Sequence, residues 1–151
     1  MSIFSVRRSV ACYVTRTTAE CEQLLVLEPP AGTDDLRSEI PVGEMLPFEG
    51  IVEAAERVLA ARTGLTELTY ADQLGGLEIA VGEPGGAAMT TYVHLTAPSD
   101  GPARWEHIVD EDGAGADGVL EPSVTVCGWV DLPLEIVLAE GHDAFLDDAL
   151  A

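Results

Sequence analysis

Pro41–Leu65, PVGEMLPFEGIVEAAERVLAARTGL, is the stretch whose reading decides the fold. It holds a glycine-bearing loop, one amphipathic helix and a glycine stop. Ile51, Val52, Ala55, Val58 and Leu59 recur at helical spacing and predict a buried stripe. Gly64 stands where a C-cap glycine belongs, and Leu65 follows as the hydrophobic contact that folds back on the last turn.

The same residues carry a longer pattern. Gly43, Glu49, Arg57, Leu59 and the pair Gly64-Leu65 fall without a gap on the signature Gx5Ex7REUxEExGU, where U is aliphatic. The chain thus resembles the Nudix hydrolase family, and Ala54, Ala55 and Thr63 also match residues common in that family's helix. The resemblance implies an α+β fold, a Nudix-like α/β/α sandwich with a mixed β-sheet between helices, made by one domain over residues 1–151. It implies hydrolysis of a nucleoside diphosphate derivative, with Mg2+ or Mn2+ held by the three glutamates of REUxEE. It gives Arg57 a structural role, pairing with the glutamate that corresponds to Glu49. The three glutamate places, however, hold Val58, Ala61 and Arg62.

The acids that remain do not replace the missing ones. At about 100° per residue, Val58, Ala61 and Arg62 share one arc of the helix, and Glu49, Glu53 and Glu56 share another, roughly 160° away. Arg62 adds a permanent positive charge where a divalent cation would sit. Hard cations need several oxygens converging at short range, so no metal or other cofactor is expected here. Glu49, Glu53 and Glu56 are the catalytic candidates if a rearranged Mg2+ or Mn2+ site or a general base exists. Otherwise they form a solvated helix face, with Glu53 paired to Arg57 at i,i+4.

Outward from the helix, the chain alternates between strand and loop chemistry. Val6–Arg16 reads as a strand with Val10, Cys12 and Val14 on one face, and Gln23–Leu27 as a short strand buried on both sides. Glu28–Leu36 reads as loop, Thr69–Val81 as a strand pair or a bulged strand broken at Gly75-Gly76, and Glu83–Gly86 as a hairpin connection. Ala88–Ala97 turns Met89, Val93 and Leu95 one way and Thr90, Tyr92 and His94 the other. Pro98–Pro102 is a turn, Trp105–Asp110 and Val124–Asp131 are strands, and Glu111–Gly118 is loop. His142–Leu150 forms a short helix burying Phe145, Leu146 and Leu150. WVDL at Trp129–Leu132 and WEH at Trp105–His107 resemble segments found in the same family.

Composition excludes some functions. Of 151 residues, 47% are apolar, enough for a real core. All seven cations are arginine, against 27 acids, for a net charge of −20. Such a field repels nucleic acid and anionic membranes, and makes a bare polyphosphate a poor ligand unless metal ions or arginines offset it. There is no apolar run of membrane-spanning length and no signal-peptide pattern, so a cytoplasmic protein is expected. Cys12, Cys21 and Cys127 are odd in number and lack a CxxC pair, which argues against disulfides or zinc; Cys12 and Cys127 read as buried thiols.

For ligand binding, the candidates are Arg8, Arg37 and Trp105. Arg7, Arg8 and Arg16 lie on the first strand, where the resemblance makes a phosphate clamp conceivable; Arg8 and Arg16 share strand parity but Arg7 does not, so no three-arginine cluster follows. Trp105, Tyr70 and Tyr92 could stack on a base, although core packing is the commoner use of each. His94 and His107 are well tuned as bases at neutral pH, but single histidines usually serve structure. His142 reads as surface or helix start. By the resemblance, Glu111, Asp112 or Asp117 would supply the additional carboxylate that many family members contribute from a late loop; by composition alone they form a solvated loop.

Three functions remain. The first is a Nudix-fold protein without the usual metal-dependent activity, acting by binding a small nucleotide-type ligand or a partner. The second is an active hydrolase with a non-standard metal site. The third is a structural module; a homodimer fits the family.

Overall fold

The computed structural model describes residues 7–29, 37–80, 87–108, 124–134, 138 and 142–150. The connections expected at 83–86 and 111–118, most of that at 28–36, Val109, and the side chain of Leu150 lie outside them.

Strand β1 (Arg7–Thr17) is the axis of the sheet. It alternates inward-facing residues on both faces, so Val10–Arg16 are all buried. β2 (Glu22–Leu27) returns antiparallel beside the end of β1, and β3 (Val42–Glu44) pairs with its beginning at Ser9–Ala11. The other edge of β1 is taken along Arg7–Thr15 by β5 (Ala87–Thr96), running parallel. Helix α1 (Ile51–Thr63) and β4 (Thr69–Ala80) lie between β3 and β5 in sequence. β6 (Arg104–Ile108) and β7 (Val124–Asp131) complete a seven-stranded mixed sheet in the order β4-β5-β1-β2-β7-β6, with β3 beside β1. A short α2 (Leu146–Leu150) follows. Among the described residues no helix is long and apolar enough to cross a membrane.

The two faces of the sheet carry separate cores. Val10, Cys12, Val14, Leu25, Val93 and Leu95 meet α1 on one side. Ala11, Tyr13, Leu24, Val26 and Tyr92 meet Phe145, Leu146 and Ala149 on the other. β2 is buried on both faces from Leu24 to Leu27, as its unbroken apolar run requires. The result is the expected α+β sandwich.

α1 begins at Gly50 without a side-chain cap and ends at Gly64, whose φ of 79° is the left-handed C-cap; its N–H bonds the Ala60 carbonyl. The buried face is Ala54, Ala55, Val58, Leu59 and Thr63. It is rotated from the expected stripe, because Val52 stays half-buried and Thr63 turns inward. Thr63 tolerates burial by donating its hydroxyl to the Leu59 carbonyl at 2.6 Å.

Two expectations need correction. Of the two readings of its stretch, β4 is the bulged strand, but the break expected at Gly75-Gly76 is absent: the strand runs through both, with register shifts between Tyr70 and Asp72 and between Gln73 and Gly75. Gly75 makes room: a Cβ there would lie 2.6 Å from the Phe145 ring, which packs on the bare backbone and tilts against Tyr92 at 4.8 Å. His142 is not a surface residue. It is half-buried, its Nδ1 accepts the Ile40 N–H at 2.9 Å, and its carbonyl accepts the Tyr13 hydroxyl at 2.6 Å. That hydroxyl also accepts the Phe145 N–H at 3.1 Å, so Tyr13 and His142 fasten the last segment to the sheet.

Candidate functional site

The Gly43–Leu65 stretch forms one rigid turn-helix-turn. Arg57 grips Glu49 with a two-pronged contact, Nε to Oε2 at 2.8 Å and Nη2 to Oε1 at 3.0 Å, and reaches the Glu44 carbonyl at 2.6 Å. Glu49 Oε1 also accepts the Leu46 N–H at 2.9 Å. The guanidinium beside it holds the Glu49 carboxyl below the usual carboxylate range. This turn forces Phe48 to a φ of 63° and leaves its ring fully in solvent.

Val58 is buried against Gly43. A Cβ on that glycine would stand 2.5 Å from Val58 Cγ2, so only glycine permits the approach of strand to helix. Ala61 offers its carbonyl to His107 Nε2 at 3.1 Å. A carbonyl only accepts, so Nε2 is the donor of this bond. Arg62 donates Nη1 to the Val42 carbonyl at 2.6 Å and so ties the helix to β3. Glu53 and Glu56 are exposed. Among the described residues no group of three or more His, Cys, Asp or Glu is placed to hold a metal ion. Glu111, Asp112 and Asp117 lie outside those residues.

Beyond the last turn of α1 opens a cleft of about 460 Å3, between the helix end, the 97–102 turn and the ends of β1, β6 and β7. That volume is in the range of small-molecule sites. Arg16, Trp105 and Trp129 define it, with apolar walls from Leu65, Pro98 and Pro102 and acids at Glu67 and Asp100. Arg16 is only 6% exposed. Its Nε donates to Gln23 Oε1 at 2.8 Å and its Nη1 to the Gly101 carbonyl at 3.1 Å, while its head lies 4.6 Å over the Trp129 ring. Gln23 is fixed in turn by donating Nε2 to Asp131 at 2.7 Å. Trp105 is fixed by donating Nε1 to the Thr63 carbonyl at 2.8 Å, and its ring is tilted against Trp129 at 6.4 Å.

The candidates named from sequence are therefore dispersed. Trp105 lines the cleft; Arg8 and Arg37 are exposed and do not. Arg16, weighed from sequence only as part of a first-strand phosphate clamp, lines the cleft without Arg8; Trp129 was not among the candidates. The signal for Arg16 was its parity with Val10, Cys12 and Val14, which points it to the buried face. His94 shares a 2.8 Å hydrogen bond with Thr15 Oγ1, and burial lowers its pKa. Burial pushes the Cys12 thiol up to about 12 and Cys127 up to about 11, so neither offers a thiolate at neutral pH.

No protein-family model matches the chain, and no curated protein sequence does. Solved structures do. The NUDIX domain of Shewanella oneidensis NrtR, complexed with ADP ribose, superposes with a TM-score of 0.65 over 98% of this chain and 88% of its own, at 18% identity. A mutT/nudix family protein from Listeria innocua gives 0.64 over 97% and 94%, at 17% identity. The Nudix hydrolase RenU from M. smegmatis gives 0.62 over 96% and 85%, at 18% identity. The chain has the Nudix fold.

Proposed function

We propose that this chain is a Nudix-fold binding protein that takes a small nucleotide-type ligand without metal-dependent hydrolysis. One observation carries the reading: where the signature places its three glutamates, Val58 is buried on Gly43, Ala61 has only a methyl group, and Arg62 is bonded to Val42. These residues do not fit a hard divalent cation, because they offer no anionic oxygen and add a positive charge. Glu49, the remaining box acid in register, is occupied by Arg57. Diphosphate hydrolysis of the family's kind draws on metal ions to neutralise phosphate charge and generate the nucleophile. A nucleotide-type ligand is supported by the ADP ribose bound to the NUDIX domain of NrtR.

The test combines calorimetric titration with Mg2+ and Mn2+, product release from ADP-ribose, and thermal denaturation with ADP-ribose in EDTA. The expected result is stabilisation by ADP-ribose without metal and no release above background. Micromolar ion binding with product release, both abolished by Glu53→Gln, would overturn the proposal.

A further inference from the structure

Arg16 is the unusual residue of the cleft. It is nearly buried, yet its hydrogen-bond partners are neutral, and among the described residues no carboxylate lies within ion-pair distance of it. A desolvated cation without a counter-charge is costly, and stacking on Trp129 offsets only part of that cost. Gln23 and Gly101 engage Nε and Nη1, which leaves Nη2 without an acceptor among the described residues. Since no buried side-chain nitrogen among the described residues lacks a partner, Nη2 is not itself buried, and Arg16 lines the cleft.

Around it the surface limits how much negative charge can enter. Glu67 and Asp100 line the same cleft, and the chain as a whole carries −20. One guanidinium suits one anionic group, and Glu67 and Asp100 disfavour further negative charge in the cleft. Trp105, half-buried and fixed by its bond to Thr63, lines the same cleft with Leu65, Pro98 and Pro102 as apolar walls. A planar ring packs well on such a surface.

We infer that this cleft binds a planar aromatic ligand bearing a single anionic group, with Arg16 receiving the anion and Trp105 the ring. The inference rests on the reading that the chain acts by binding, and it deepens that reading by naming the group that Arg16 receives, one phosphate or carboxylate. Asp100 lines the same cleft, and its negative charge, which favours the guanidinium from a distance, competes with an incoming anion.

Both tryptophans of the chain line the cleft, so fluorescence excited at the indole edge reports its occupancy. The probes are AMP, phenylacetate, neutral adenosine and ADP-ribose, titrated in EDTA. AMP or phenylacetate should change the emission and bind at least about tenfold more tightly than adenosine, as expected for a charge-assisted contact; which of the two binds distinguishes phosphate from carboxylate. Arg16→Met should erase that advantage, and Asp100→Asn, at an exposed position, should tighten anion binding several-fold. Adenosine binding as tightly as both AMP and phenylacetate, an unchanged preference in folded Arg16→Met, or no fluorescence response to any probe would overturn the inference. If Arg16→Met does not fold, Asp100→Asn decides, and no tightening counts against it. Thermal stabilisation by ADP-ribose with silent tryptophans would leave the binding function standing and remove this site. Metal-dependent product release would remove the binding function, while the AMP titration would still judge the cleft.

Discussion

Writing the three glutamates back into the helix should convert this protein into an ion-dependent one. In the triple variant Val58→Glu, Ala61→Glu, Arg62→Glu, two losses can be worked from the structure. Val58 is 3% exposed with its methyl groups on Gly43, so surrendering that contact costs about 1.5–3 kcal/mol before any charge is buried. Arg62 loses its charged hydrogen bond to the Val42 carbonyl, which costs about another 1.5–3 kcal/mol. Against a typical total of about 5–15 kcal/mol, the ion-free variant is marginal, and its Tm should fall by roughly 10–20 °C. Three adjacent carboxylates then form the oxygen-rich site that the present residues lack. Mn2+ at about a hundred times its Kd would return about 2.7 kcal/mol, or roughly 5–10 °C. Differential scanning calorimetry in EDTA, Mg2+ and Mn2+ reads this directly, with the natural chain unmoved by either ion. A variant that melts cooperatively but identically in EDTA and Mn2+ would refute the register assigned to Gly43–Leu65. The milder pair Ala61→Glu, Arg62→Glu, which spares the buried valine, keeps the test open if the triple variant is unfolded.

Three further outcomes are expected. Glu49→Ala removes the Arg57 fork and the Leu46 contact; with Arg57 38% exposed and still bonded to Glu44, the loss is discounted to about 1.5 kcal/mol in urea titrations at neutral pH. Because Arg57 depresses the Glu49 pKa below 4.5, this contribution is complete above 4.5 and vanishes as pH falls through the folded value, so the gap between variant and parent should close in acid. Burial lowers the His142 pKa from 6.5, so the unfolded chain protonates first and stability falls as pH drops below 6.5; His142→Gln should reduce the decline between pH 7.5 and 5.5, and an undiminished decline would count against the bond to Ile40. Gly64→Ala meets both the left-handed backbone and the His107 ring 3.0 Å from the new methyl group, and should cost about 1–2 kcal/mol by thermal denaturation.

Much of the frame was legible without coordinates, because it depends on neighbours in the chain. The 3.6-residue spacing and Gly64 set the bounds of α1, and alternation placed β1, β2 and β5 to within about two residues. Glu49 and Arg57 were paired by resemblance, and the structure joins them. Legibility failed where partners are far apart. Gly75 read as a break because a glycine weakens an isolated strand, and only Phe145, packed from the last segment, shows that the missing side chain is an opening. His142 read as surface because nothing nearby in sequence needs it; its partner is the Ile40 amide.

The sequence by itself determined the helix, its glycine stop, the strand pattern and the identities Val, Ala and Arg at three decisive positions, since these follow from local spacing and residue chemistry. Only the tertiary structure decided the cleft. Arg16, Trp105 and Trp129 come from three different strands, and whether a charged strand residue is wet or desolvated depends on what the sheet and the 97–102 turn lay over it.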